Sequence, residues 1–534
     1  MPRVVPCLLV SMVLLGGFAP GARGAAQAPP PALQVERFVV EGNSLLPPEL
    51  VQARLAAYKG ASSLVQLREA AAALQALYRE AGYGGVVAFL PEQTLTGGVV
   101  QLRVVEGKLS AVEVRGVPGE QHEAVRARLP ALQEGRTPEL RRLDAQIQLA
   151  NENPASQMQV LLQPGAQPGQ VGAVLTVQQQ ASARWHARLD NSGGERTGRW
   201  RAALGWQHAD FFGGDRVLST EFQTAPEDPG AVKVLSAGLR QPIYAQLMAL
   251  DGYAAWSDVD GGTSQTAAGD LAFSGRGRVV GLRLSRYLER AGNVDQRLQL
   301  SLEQRHYLND CRIAGLPPGA CGSAGASVRL QPLSLGYTAQ AVDRIRWGLH
   351  ASLQTNLGLG GGDSSQAAFE AIRPDAKRRY TLLRLGANAG LPLDDWGSLE
   401  LQLNGQISPD ALVPAEAFGL GGQFSVRGYE ERELNADAGV QASLEWWSPN
   451  WGGRFNERLR LQGILFADLG WARNRGSTPC LDTRRRCELA SLGVGLRVGQ
   501  GDTQLRLDVA VALKDALQTR RDDVHAHFSL QHKF

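Results

Sequence analysis

The sequence predicts two small α+β domains followed by an all-β transmembrane barrel of sixteen antiparallel strands. Three observations predict it. A strand–helix–helix–strand–strand order occurs twice in the first third of the chain, about 75 residues apart. From about Ala181 the helical periodicity gives way to alternation. The alternating segments are then about ten residues long, are punctuated by glycine, and run to a terminal aromatic, Phe534, the pattern of strands around a polar lumen.

A leader precedes these elements. Arg3, the apolar run Val4–Phe18 and the small residues Ala22, Gly24, Ala25 and Ala26 read as a secretory signal peptide over 1–24. A short proline-rich segment, 25–32, follows. Beyond the leader no run reaches about 18 uncharged apolar residues, so no transmembrane helix is predicted. The 55 basic and 52 acidic residues balance, which gives no reason to expect nucleic acid. No GxSxG, HExxH or Walker pattern occurs, so neither an enzyme nor a cofactor is expected. His525, His527 and His532 read as barrel-strand positions rather than metal ligands, and Asp394-Asp395 as part of a tight turn.

Cys7 leaves with the leader. Cys311, Cys321, Cys480 and Cys487 form two close pairs in loop-like segments. In an oxidising compartment these read as two loop-clipping disulfides. The rival, a metal site, would call for CxxC spacing or a nearby histidine cluster, and neither pair has one.

The first repeat opens with a strand over Val35–Glu41, closed by Gly42-Asn43, and a short helix from about Pro48. Leu67, Ala70, Leu74, Leu77, Tyr78 and Ala81 give the second helix one apolar face, and Gly82 ends it. Strands Val86–Leu90 and Val99–Val105 complete the unit. The second repeat has strands Leu109–Arg115, Met158–Gln163 and Val171–Val177, with helices near Glu123–Leu129 and Leu140–Ala150. The TPEL stretch before the latter reads as an N-cap with proline in the first turn. Each unit would hold a three-stranded sheet with open edges able to accept an extended partner.

In the remaining chain, Leu505, Leu507, Val509, Val511 and Leu513 share a face opposite Gln504, Arg506 and Asp508. Leu399, Leu401, Leu403 and Ile407 oppose Glu400, Gln402, Asn404 and Gln406 in the same way. A soluble sandwich also alternates, but the segment length and the terminal HAHFSLQHKF favour a closed membrane barrel. Sixteen strands are expected to begin near Ala183, Trp200, Arg216, Lys233, Asp251, Ala267, Gln296, Ser327, Arg344, Arg379, Ser398, Ala438, Arg458, Glu488, Thr503 and His525. An even count returns both barrel ends to the periplasm and puts both cysteine pairs in extracellular connections.

One such connection, 408–437, contains FGLGGQFSVRGYEERELNAD. Downstream, in LRLQGILFADLGWAR, the apolar parity turns Phe466, Asp468 and Gly470 inward. A carboxylate inside a barrel wall wants a cation. Arg427, on a glycine-flanked tip, could supply a bidentate guanidinium if the loop folds into the lumen.

The motif VRGY (Val426, Arg427, Gly428, Tyr429) together with FADLG (Phe466–Gly470) resembles two signatures of the two-partner secretion transporters. That is the haemolysin secretion/activation family of the outer-membrane assembly-factor superfamily. LPEQTLTGGVVQLRVVEGKL resembles the end of that family's first POTRA domain, and DNSGGERTG its first barrel hairpin. The resemblance implies POTRA domains over 33–107 and 108–180, and a barrel over 181–534 whose sixth extracellular loop (408–437) enters the lumen. It also implies an Arg427–Asp468 salt bridge, and Phe534 is read as the C-terminal barrel signal. The implied function is export of a large β-rich exoprotein whose N-terminal secretion domain binds the POTRA domains. Outer-membrane lipid would surround a monomer, and periplasmic chaperones and the barrel-assembly machinery would act in its biogenesis. The alternative is an outer-membrane protein insertase. The family commonly carries an N-terminal plug helix. AAQAPPPA (25–32) is too short and proline-rich for one, so an unplugged barrel with a large resting conductance is expected.

Overall fold

A computed structural model describes residues 34–61, 63–94, 97–194, 197–258, 262–266, 269–273, 276–308 and 327–534. The expected leader, the 25–32 segment and the Cys311/Cys321 pair lie outside the described residues.

The first unit runs β1 (Arg37–Glu41), α1 (Pro48–Leu55), α2 (Leu64–Glu80), β2 (Val86–Phe89) and β3 (Val99–Glu106), with sheet order β1-β3-β2. Strand β1 pairs in parallel with the central β3. The helical spacing of Leu67, Ala70, Leu74, Leu77 and Tyr78 buries one face of α2, and Phe38, Val100 and Leu102 are buried on the sheet. The second unit repeats the topology: β4 (Lys108–Arg115), α3 (His122–Ala127), α4 (Leu140–Ala150), β5 (Ser156–Pro164) and β6 (Gln170–Gln179), in order β4-β6-β5. Leu143, Val125, Met158 and Leu175 meet in its core. The N-cap of α4 is Glu139, without a side-chain cap bond, rather than the expected Thr137. The proline therefore precedes the helix instead of opening it.

The barrel is closed and antiparallel. Its first eight strands are Ala183–Asp190, Arg201–His208, Val217–Thr224, Lys233–Ile243, Met248–Asp258, Gly277–Tyr287, Val294–Tyr307, and an eighth in two pieces, Val328–Leu330 and Pro332–Val342. The ninth to sixteenth are Arg346–Asn356, Thr381–Pro392, Ser398–Ile407, Ala438–Trp447, Leu459–Arg473, Arg486–Gln500, Thr503–Ala512 and Val524–Lys533. The sixth strand begins ten residues later than the sequence suggested. Ala267 itself lies outside the described residues, and Gly262–Thr266 and Gly269–Phe273 on either side of it pair as a separate ribbon. A short hairpin that satisfies its own ladder has the same alternation as a wall strand, so period alone does not separate the two.

Along the thirteenth strand Leu465, Leu469 and Trp471 stand outward and exposed while Phe466, Asp468 and Ala472 are buried inward. Pairing depth varies round the wall. The thirteenth and fourteenth strands pair from Leu459↔Gln500 to Arg473↔Arg486, whereas the closing seam between sixteenth and first runs only from Ser529↔Asp190 to Lys533↔His186. The second α+β unit is joined to the barrel by partly buried ion pairs. Glu152 accepts from Arg297 at 2.8 Å and also pairs with Arg240, and Arg128 meets Asp215 at 2.6 Å. Burial pushes the Asp215 carboxyl above the usual range, and the Arg128 guanidinium opposes that push.

Candidate functional site

The 408–437 connection leaves the eleventh strand, enters the lumen and returns to the twelfth. Inside it, Phe418–Leu420 pairs with Leu434–Ala436, which makes a stalk for the VRGY tip. Gly428 sits at φ +90, a conformation that a side chain rarely tolerates, and a Cβ there would press on Ala510 of the fifteenth strand. The tip can therefore lie flat against the wall. Gly470 serves the same approach from the other side, because a Cβ there would meet Leu420 and Val426 at 2.9–3.1 Å.

This close approach delivers Arg427 to Asp468. Nε donates to Oδ2 and Nη2 to Oδ1, both at 2.7 Å, and the Arg427 backbone N–H adds a third bond at 3.1 Å. Ser443 Oγ donates to Asp468 at 2.6 Å and accepts from Nη2 at 3.0 Å. Nη1 stands 2.6 Å from Glu445 as an ion pair, and Asp508 lies at 3.8 Å. The guanidinium stacks on Phe466 with its carbon 3.4 Å from the ring centroid. Asp468 is fully buried and Arg427 nearly so. A planar fork, one bidentate carboxylate and an aromatic floor is a geometry that arginine satisfies and lysine does not.

The neighbours of Arg427 complete the seat. Val426 is buried against Leu420 and Leu434. The Tyr429 hydroxyl lies 2.9 and 3.0 Å from the carbonyls of Ala490 and Lys514. The Cys480–Cys487 disulfide packs in the same cluster. His527 is inward and accepts from the Gly428 N–H at 3.2 Å, so its use here is as a hydrogen-bond acceptor. Among the described residues no group of His, Cys, Asp and Glu is arranged to hold a metal. Phe534 ends the chain at the seam, its N–H bonded to Trp185 O at 2.9 Å.

Three further anchors of this loop were missed by sequence reasoning. Glu416 is fully buried between Arg305 of the seventh strand (2.5 Å) and Arg384 of the tenth (3.3 Å), with Gln354 of the ninth at 2.9 Å. Asp437 takes a bidentate contact from Arg373 at 2.6 and 2.8 Å. Glu433 accepts from the Thr519 hydroxyl at 2.6 Å and from its N–H at 2.7 Å. The loop thus carries an arginine to one sector of the wall, a carboxylate, Glu416, to another, and two further carboxylates, Asp437 and Glu433, to neighbouring connections between strands. It does not fill the lumen. A polar cavity of about 560 Å³ lies beside the tip, lined by Glu400, Gln402, Ser443, Glu445, Arg497 and Arg506 among others.

A polar-lumen barrel with a long loop latched inside it, preceded by two βααββ units, defines an outer-membrane barrel of the POTRA-bearing class. The chain belongs to the haemolysin secretion/activation protein family, ShlB/FhaC/HecB, whose model matches residues 170–498. A model of the ShlB-type POTRA domain matches residues 33–107. Among curated proteins the chain is 27% identical over 384 residues to the outer membrane transporter CdiB of Dickeya dadantii. That match covers 69% of this chain and 64% of the relative, so it spans less than two thirds of that protein. Among solved structures, CdiB from Escherichia coli superposes with a TM-score of 0.77 at 20% identity over 96% of this chain and 93% of that one. BamA from Haemophilus ducreyi, lacking POTRA domains 1–3, gives 0.50 at 14% identity over 94% and 100%. The barrel therefore lies in the outer membrane, with its N-terminal POTRA region on the periplasmic side.

Proposed function

We propose that this chain is the outer-membrane pore of a two-partner secretion pair. It would recognise one large β-rich exoprotein of the adhesin or haemolysin kind in the periplasm and pass it through the barrel. The observation that carries this reading is a loop held across a polar lumen by a buried Arg427–Asp468 pair. A fixed structural strut would need no cavity beside it, whereas a latch over a transport path would. In this reading the POTRA units dock the exoprotein's N-terminal secretion domain by strand addition at their outer strands, β1 or β2 in the first unit and β4 or β5 in the second. Proline at outward positions of these strands should weaken docking and leave the barrel folded. Docking that survives proline at every edge would rule out strand addition.

The test of the whole reading compares secreted and surface proteins, by mass spectrometry, from cells with and without this chain. Loss of one large protein, with its precursor held or degraded in the periplasm, is the expected result. A broad fall in many outer-membrane barrels would instead support the insertase reading, which the fold likeness to BamA keeps in view.

A further inference from the structure

The lumen accounts for the charged groups but not for an aromatic surface on the outside of the barrel. At the closing seam, Trp185 of the first strand and Trp206 of the second are cross-strand partners with ring centroids 6.3 Å apart. Both stand on the outward parity, since their neighbours His186 and Arg188 face the lumenal carboxylate Glu221. From Trp206 the rings continue through His208 at 5.9 Å to Phe211 at 6.1 Å and Phe212 at 4.3 Å. His532 and Phe534 of the last strand add a further ring pair at 4.5 Å. The first strand is entered from the periplasmic unit, so the end of the second strand, the turn 209–216 and the chain end all lie at the periplasmic rim.

The turn has an unusual backbone. Phe212, Gly213, Gly214 and Asp215 have φ of +56, +76, +69 and +59. Two glycines are at home there, but an aromatic residue is an outlier that its surroundings must impose. The surroundings are visible. The Asp215 carboxylate is gripped by Arg128 at 2.6 Å, by the Tyr244 hydroxyl at 2.9 Å and by Asn153 at 3.3 Å, and Asn153 also donates to Ala209 O at 2.9 Å. The result is a phenylalanine 85% exposed at the tip of a braced turn, where a third glycine would fit without strain.

We infer that the turn 209–216 is a membrane-interface anchor that seats Phe211 and Phe212 in the headgroup zone of the periplasmic leaflet beside the seam. The occupant is lipid rather than protein because the ring strip is continuous with the lipid-facing belt. Leu204, Phe222 and Leu530 stand exposed on the same outward faces, and the outward positions from Trp185 to Leu189 and from Phe528 to Phe534 carry no acidic side chain, lysine or arginine. Tryptophan and histidine beside phenylalanine suit a boundary that is apolar on one side and wet on the other. The grip on Asp215 and Ala209 comes from Arg128 and Asn153, just past α3 and α4 of the second POTRA unit, and on Asp215 also from Tyr244 of a neighbouring barrel turn. The same turn would therefore tie that unit to the membrane surface.

The test places an environment-sensitive nitrobenzoxadiazole label at Phe212→Cys, in a chain whose other cysteines are serine. The protein is reconstituted in phosphatidylethanolamine–phosphatidylglycerol vesicles. Labels at Leu465→Cys (lipid face) and Gln167→Cys (a periplasmic turn of the POTRA unit) set the two limits. A label at 212 that is blue-shifted and quenched by doxyl lipid, like that at 465, is the expected result. One quenched by aqueous iodide, like that at 167, overturns the inference. So does one shielded from both quenchers, which would mean that protein covers the turn. If the labelled variant does not fold, the wild-type chain decides: photolabelling with a headgroup-zone diazirine lipid should modify Phe211 or Phe212, and adducts confined to the strands would reject the anchor.

Discussion

Two of the ionic clusters that hold the lumenal loop are of opposite construction. At its tip the loop supplies the cation, and the twelfth, thirteenth and fifteenth strands supply Glu445, Asp468 and Asp508. Nearer its root the loop supplies the anion, Glu416, and the seventh and tenth strands supply Arg305 and Arg384. The difference lies in what each leaves behind when broken. Without the Arg427 side chain, Asp468 keeps the Ser443 hydroxyl and the backbone N–H of residue 427 but no cation. Without Glu416, Arg305 keeps Glu303 at 2.5 Å, and Arg384 keeps Gln406 and Gln354 at 3.0 Å. A buried ion pair adds little net stability but is costly to half-remove. The tip is thus an all-or-none contact, and the root a redundant one.

Arg427→Ala probes this asymmetry most severely. It should cost the seated loop about 3–5 kcal/mol, the usual penalty for stranding a buried charge. Export should fall steeply while the barrel stays folded and heat-modifiable on gels. Normal export would show that the pair is only a strut. Arg427→Lys comes next. It restores the charge but not the fork or the stacking on Phe466, so export should recover in part. Full recovery would mean that charge alone holds the tip.

Glu416→Gln should act more weakly, by about 1–2 kcal/mol, because the amide oxygen still accepts from Arg305 and both arginines keep other partners. Amide hydrogen exchange over 411–420 should quicken while exchange around Val426–Tyr429 stays slow. An export defect equal to that of Arg427→Ala would break the comparison and make the root as critical as the tip.

This contrast also explains how far the sequence could be read. Asp468 was legible because the apolar parity of Leu465, Leu469 and Trp471 forces it inward, and a lone inward carboxylate demands a cation. Arg427 was legible because Gly428 and its neighbours mark a turn that can approach a wall. The Glu416 site was not legible. Inward positions of a barrel are polar by default, so Arg305 and Arg384 look like ordinary lumen lining. Only the pairing of strands far apart in sequence brings them round one carboxylate. The displaced sixth strand has a similar origin, since alternation does not say which neighbour a strand will choose.

The smallest effect should come from Tyr429→Phe, the neighbour of the latch. The ring is fully buried and would keep its place against Leu489 and the Cys480–Cys487 disulfide. Only the hydroxyl is lost, with its contacts to Ala490 and Lys514. The Ala490 carbonyl still accepts from the Leu513 N–H at 2.8 Å, so it is not stranded. The Lys514 backbone is partly exposed, and water can replace the phenol there. The loss should therefore be about 1 kcal/mol, seen as a slightly lower midpoint for heat-induced unfolding with export nearly intact. An export defect approaching that of Arg427→Ala would place the critical contact in the tyrosine seat instead. The guanidinium would then orient the tip, and the phenol would hold it.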